Sequence, residues 1–167
     1  MTPNAFPLPH ASYERFESMR EYEAMFDDLI PTSQQAVRIF DRTLSAAFNS
    51  PARCERLGQF LRASALNRLH IVVHEIQGAD RACPRLLLLL QRFSHLASVR
   101  QTPRSERHVY DRFAVFDAVH YLHGFHHEHA RFARGLNDVE GAQQLLERFD
   151  ELWNVSQPVL GASVLGL

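Results

Sequence analysis

"HVYDRFAVFDAVHYLHGFHHEHARFARG", residues 108–135, alternates apolar and polar side chains and contains no helix-length segment. A period of two places successive side chains on opposite faces of an extended chain, so the stretch predicts consecutive antiparallel strands joined by tight turns. If residues 120–126 form one strand, His120, Leu122, Gly124 and His126 face one side. Tyr121, His123 and Phe125 then face the other, so the histidines do not all converge.

Upstream the pattern is different. "SMREYEAMFDDLI" spaces Met19, Tyr22, Met25, Phe26 and Leu29 as a helix behind a Ser18 cap, and "QQAVRIFD" reads as a strand. A Ser50-Pro51 start opens a helix over 51–66, with Cys54, Leu57, Phe60, Leu61 and Ala65 on one stripe. "RLHIVVHEI" is a strand, "CPRLLLLLQRFSHL" a helix whose Leu86–Leu90 run is a buried flank, and "SVRQT" a short strand. Strand, helix, strand, helix, strand predicts βαβαβ units and a parallel sheet. Downstream, "VEGAQQLLERFDELWNVS" closes as an amphipathic helix with Leu145, Leu146, Phe149, Leu152 and Trp153 toward the core. The fold class expected is α/β: a mixed sheet from βαβαβ units, then consecutive antiparallel strands and a C-terminal helix.

The chain has 167 residues, enough for one domain with a sizeable core. Residues 1–17, with several prolines, read as a flexible tail, and 18–167 as a single domain. The formal net charge of -1 gives no global attraction to nucleic acid or anionic membrane, so any anion must be bound by a local pocket. All 18 basic residues are Arg, which excludes a Lys nucleophile, a Schiff-base Lys and a phosphate-loop Lys. Cys54 and Cys83 are too few for a disulfide framework or a cysteine zinc site, and no stretch is long enough for a membrane span or shaped as a signal peptide. A cytoplasmic location is the expectation.

Read for chemistry, the opening stretch contains Tyr110-x-Arg112, four residues, Asp117, six residues, Gly124-Phe125, two residues and Glu128. This spacing resembles the phospholipase D superfamily signature His-x-Lys, four residues, Asp, six residues, Gly-Ser, two residues, Asn. The order of elements over roughly residues 18–157 resembles one half of that fold. The resemblance implies a site in which a His attacks phosphorus, a Lys and an Asn hold phosphate oxygens, and two motifs meet, so that a homodimer is expected by analogy. Asp117 and Gly124 match the pattern, whereas Tyr110, Arg112, Phe125 and Glu128 depart from it. Arg112 can still hold an anion, but the Tyr110 phenol is protonated at neutral pH and needs a base, and Glu128 adds negative charge beside a negative substrate. Shifting the register to make His108 the nucleophile moves Val115 to the Asp position, so that register is set aside.

The site positions Tyr110, Arg112, Asp117, Gly124 and Glu128 are therefore read as vestigial, with Arg112, Tyr110 and His126 as the ligand-binding candidates. Six of the ten histidines lie between 108 and 129, and His123, His126 and His129 are the candidates for metal, although no ligand motif is present and no cofactor is expected. His70 and His74 read as structural strand residues, His74 and Glu75 as rim positions at a strand end. Arg100, Arg104, Arg107 and Arg112 offer a basic rim around an anion pocket, although most of them read as loop solvation. The leading expectation is a non-catalytic domain binding a phosphate-bearing ligand or a protein partner. The alternatives are a divergent homodimeric phosphodiesterase or nuclease and a histidine-based metal-binding module.

Overall fold

A computed structural model describes residues 10–159. The elements are β1 (Ser12–Phe16), α1 (Met19–Leu29), β2 (Ala36–Thr43), α2 (Pro51–Ala63), β3 (Arg68–Glu75), α3 (Ala79–Ala82), α4 (Pro84–Arg92), β4 (Ala97–Gln101), β5 (Arg112–Phe116), β6 (His120–His126), β7 (His129–Leu136), α5 (Val139–Val155) and β8 (Gln157–Pro158). Ser18 caps α1 by accepting from the Glu21 amide, and Ser50 caps α2, whose Pro51 sits where a helix has no use for its N–H. α2 ends at Ala63, so Ala65 lies beyond it and is exposed rather than on the buried stripe.

The eight strands form one sheet in the order β1-β7-β6-β5-β2-β3-β4-β8. β2, β3 and β4 are parallel, as the βαβαβ reading requires, and every other pairing is antiparallel. On one face Val37, Ile39, Ile71, Val73, Val99, Ala114, Phe116 and Leu122 pack beneath α1, α2 and α4. On the other, Phe40, Val72, Phe113, Val115 and Tyr121 meet Ala142, Leu145, Phe149 and Leu152 of α5. Leu86, Leu87 and Leu90 of α4 are buried, whereas Leu88 faces solvent, as its place on the helix dictates. Among the described residues no helix is long and apolar enough to cross a membrane.

Two further expectations need correction. Ser12–Phe16, inside the stretch read as a flexible tail, is an edge strand paired with β7, while residues 1–9 lie outside the described residues. Only Phe16 of its five side chains is buried, stacked on Phe132, so the strand carries no apolar alternation to read. Trp153 is half-buried rather than core. It stacks on His70 and Phe149 and lies under the Arg100 guanidinium at 4.3 Å, a cation–π contact that also takes Arg100 out of any basic rim.

Candidate functional site

The carboxyl ends of β1, β2, β3, β4 and β6 and the amino ends of β5 and β7 lie at one end of the sheet, the end where open α/β sheets gather ligands. Arg112 opens β5 there, paired in register with Gly124 of β6. A Cβ on Gly124 would stand 2.8 Å from Arg112 Cγ and 3.2 Å from the Phe132 ring, so the glycine is what lets the arginine side chain cross the strand. The guanidinium ends 3.9 Å from the Asp41 carboxylate of β2, and one nitrogen donates to the His127 carbonyl at 3.4 Å. Its Nε is buried without a partner among the described residues.

Asp41 accepts from the Arg42 amide at 2.7 Å. Burial pushes its carboxyl above the ordinary range, and the Arg112 charge offsets only part of that cost. The buried Tyr22 of α1 is pushed up as well, first by burial and then by the charge of Asp41. Beneath them the buried Arg53 binds Asp27 at 2.7 Å, ion-pairs with Glu23 and lies over the Phe26 and Phe48 rings. Arg112 thus faces an acid of its own chain.

The other motif positions disperse. Tyr110 is 49% exposed, with its ring stacked on His126 and His127 at centroid distances of 5.2 and 5.7 Å. Among the described residues its hydroxyl has no hydrogen-bonded base. Asp117 points away from the site: with φ of 55° in the turn after β5, it accepts the amides of Gln34, Gln35 and Ala36 at 2.6, 2.8 and 3.0 Å. It clamps the entry to β2. Glu128 is 69% exposed in the β6–β7 turn, where its amide donates to His126 Nδ1.

The candidate metal trio is not assembled. His126 and His129 have ring centroids 5.0 Å apart, but His123 lies on the α5 face of β6, as the alternation requires, with its ring edge-on to Phe113. Among the described residues no three His, Cys, Asp or Glu side chains form a group able to hold a metal. His123 instead donates from Nε2 to Asp111 at 2.7 Å, and Arg148 of α5 grips the same carboxylate with two bonds of 2.5 and 2.8 Å. Burial opposes ionisation of Asp111, yet the bonds and charges of His123 and Arg148 outweigh it and bring the carboxyl down to about 2. His108, Tyr110, Phe125 and His126 border a shallow cavity beside this cluster.

His74 is a buried tether rather than a rim ligand. Its Nε2 lies 2.7 Å from the Val109 carbonyl and its Nδ1 2.6 Å from the Thr102 hydroxyl, so the neutral ring donates to one and accepts from the other. Arg104 and Arg107 are exposed on the loop between β4 and β5. Asp41, Tyr22, Asp111 and Arg148 escape a reading of the sequence. The one available signal was the position of Asp41, a carboxylate at the carboxyl end of a parallel strand.

The family described as "Domain of unknown function (DUF7931)" matches residues 18–162. No curated protein matches the chain. Among solved structures it is similar to the phospholipase D family member Nuc from Salmonella typhimurium, with a TM-score of 0.65 and 15% identity over 91% of this chain and 100% of that one. It is similar to NucT from Helicobacter pylori, with a TM-score of 0.58 and 9% identity over 89% and 99% of the two chains. TrmBL2, described as an archaeal chromatin protein with a novel mode of DNA binding, has a TM-score of 0.65 and 9% identity over 93% of this chain and 57% of its own. The fold is phospholipase D-like, as the motif spacing and element order imply.

Proposed function

Because the chain belongs to this family of domains of unknown function and has a phospholipase D-like fold, we propose that it is a non-catalytic member that acts by binding. The observation that supports this reading is the Arg112–Asp41 pair. At the position of the phosphate-holding Lys stands a cation whose nearest anion is the protein's own carboxylate, 3.9 Å away. A substrate phosphate would have to displace that partner and would meet its negative charge at close range. The nucleophile position offers a phenol whose ring stacks against two histidines, and a phenol without a hydrogen-bonded base is a poor nucleophile. Reuse of the fold for binding is compatible with its occurrence in a protein described as chromatin-associated and DNA-binding. A residual phosphate contact would run through Arg112, the one cation at the motif.

The test is hydrolysis of bis(p-nitrophenyl) phosphate and of a short oligodeoxynucleotide by the full chain, by Tyr110→Phe and by Arg112→Ala, across protein concentrations that would populate a dimer. The expected result is no rate above the protein-free control for any of the three. Turnover by the wild type that Tyr110→Phe abolishes would establish the divergent phosphodiesterase instead.

A further inference from the structure

Beyond the Tyr110–Arg112 site, the same sheet end holds a second cavity toward the β1 edge. It encloses about 500 Å³, within the range of small-molecule sites, and is lined by Arg15, Phe16, Glu17, Phe125, Arg131 and Phe132. Phe16 and Phe132, stacked at 5.4 Å, close its inner wall but are buried, with 9% and 1% of their surfaces exposed, so the aromatic surface it offers is that of Phe125 at the rim, 37% exposed. Phe125 occupies the position of the family's serine, and it separates this cavity from the histidine-lined one. The Arg15 guanidinium lies 5.4 Å from the centroid of the Phe125 ring. Neither Arg15 nor Arg131 has an ion-pair partner among the described residues, in contrast to Arg134 of the same strand, which holds Glu14 at 2.6 Å. Glu17 is the single acid in the lining, so the two cations leave the cavity with an excess of positive charge.

The geometry points to a binding site for a small amphiphilic anion, a flat apolar or aromatic body carrying a carboxylate or phosphate. The body would cover the Phe125 ring, and its anionic head would reach Arg15 and Arg131. An apolar ligand alone would leave both guanidinium groups unanswered, and a bare anion would leave the aromatic surface wet. The site stands whether or not the Tyr110–Arg112 site turns over.

Calorimetric and NMR titrations of the full chain with phenyl phosphate, phenylacetate, inorganic phosphate and benzyl alcohol test it. Phenyl phosphate or phenylacetate should bind at least about tenfold more tightly than inorganic phosphate or benzyl alcohol, with shift changes at Arg15, Phe125 and Arg131. Whichever aryl anion binds better names the head group. The double variant Arg15→Ala/Arg131→Ala should lose about tenfold or more in aryl-anion affinity, and Phe125→Ala should weaken it as well. All three residues are on the surface, and the wild-type shift map serves if a variant fails to fold. Equal binding of phenyl phosphate and inorganic phosphate, equal binding of benzyl alcohol, or no binding at all would overturn the assignment.

Discussion

At the scale of single residues, the same side-chain type serves opposite ends according to its surroundings. Asp117 accepts three backbone amides and holds a turn. Asp111 is drawn down to about 2 once the His123 and Arg148 interactions outweigh its burial, whereas Asp41 is pushed up because Arg112 at 3.9 Å does not offset burial. A carboxyl whose folded-state pKa is raised binds its proton more tightly in the native state, so stability falls as pH climbs above the ordinary carboxylate range. Asp41→Asn removes that cost at neutral pH, and its melting temperature should exceed that of the wild type; a lower one would mean that the Arg112 pair is net stabilising. The chain marked Asp117 by its spacing. It could not mark the role, because the residues Asp117 serves lie more than 80 positions upstream.

At the scale of elements, α1, α2, α4, α5 and the inner strands were legible because each carries a local pattern, whereas the single turn of α3 was not. α1, α2 and α5 combine a polar cap with an apolar stripe, and β3 is a β-branched run bounded by turn residues. β1 was not legible, since an edge strand buried at one position of five has neither alternation nor apolar content. Asp138 shows how an element end can be tied to the sheet: it caps α5 by accepting from the Gly141 amide at 3.1 Å and accepts the Tyr121 hydroxyl at 2.6 Å with its other oxygen. Asp138→Ala should therefore cost about 2 kcal/mol, about half from the lost cap and half from the stranded hydroxyl. Denaturant unfolding checks the figure, and a loss under about 0.5 kcal/mol would show that the cap is dispensable.

At the scale of the whole molecule, stability should depend on acidity in two steps. His74 is held below its ordinary pKa by burial, against the opposing bond to Val109, and burial likewise lowers His70 and His120. The unfolded chain then takes up protons that the folded one refuses, so stability is full above about pH 6.5 and declines as pH falls below it. Asp111 acts at lower pH: its contribution is present above the ordinary carboxylate value of 3.8 and is lost as pH falls through about 2. Melting temperatures from pH 8 to pH 2 should show both declines, and Asp111→Asn should remove the lower one; a flat profile between pH 7 and 5 would contradict the buried neutral histidines. The chain by itself determined the fold class and the parallel core followed by antiparallel strands, because periodicity and capping are properties of neighbouring residues. Only the tertiary structure decided that Asp41 meets Arg112, that Asp111 joins His123 to Arg148, and that Arg15 and Arg131 flank Phe125. Those pairings join residues distant in the chain, and only the assembled sheet and the packing of α5 on it bring them within reach.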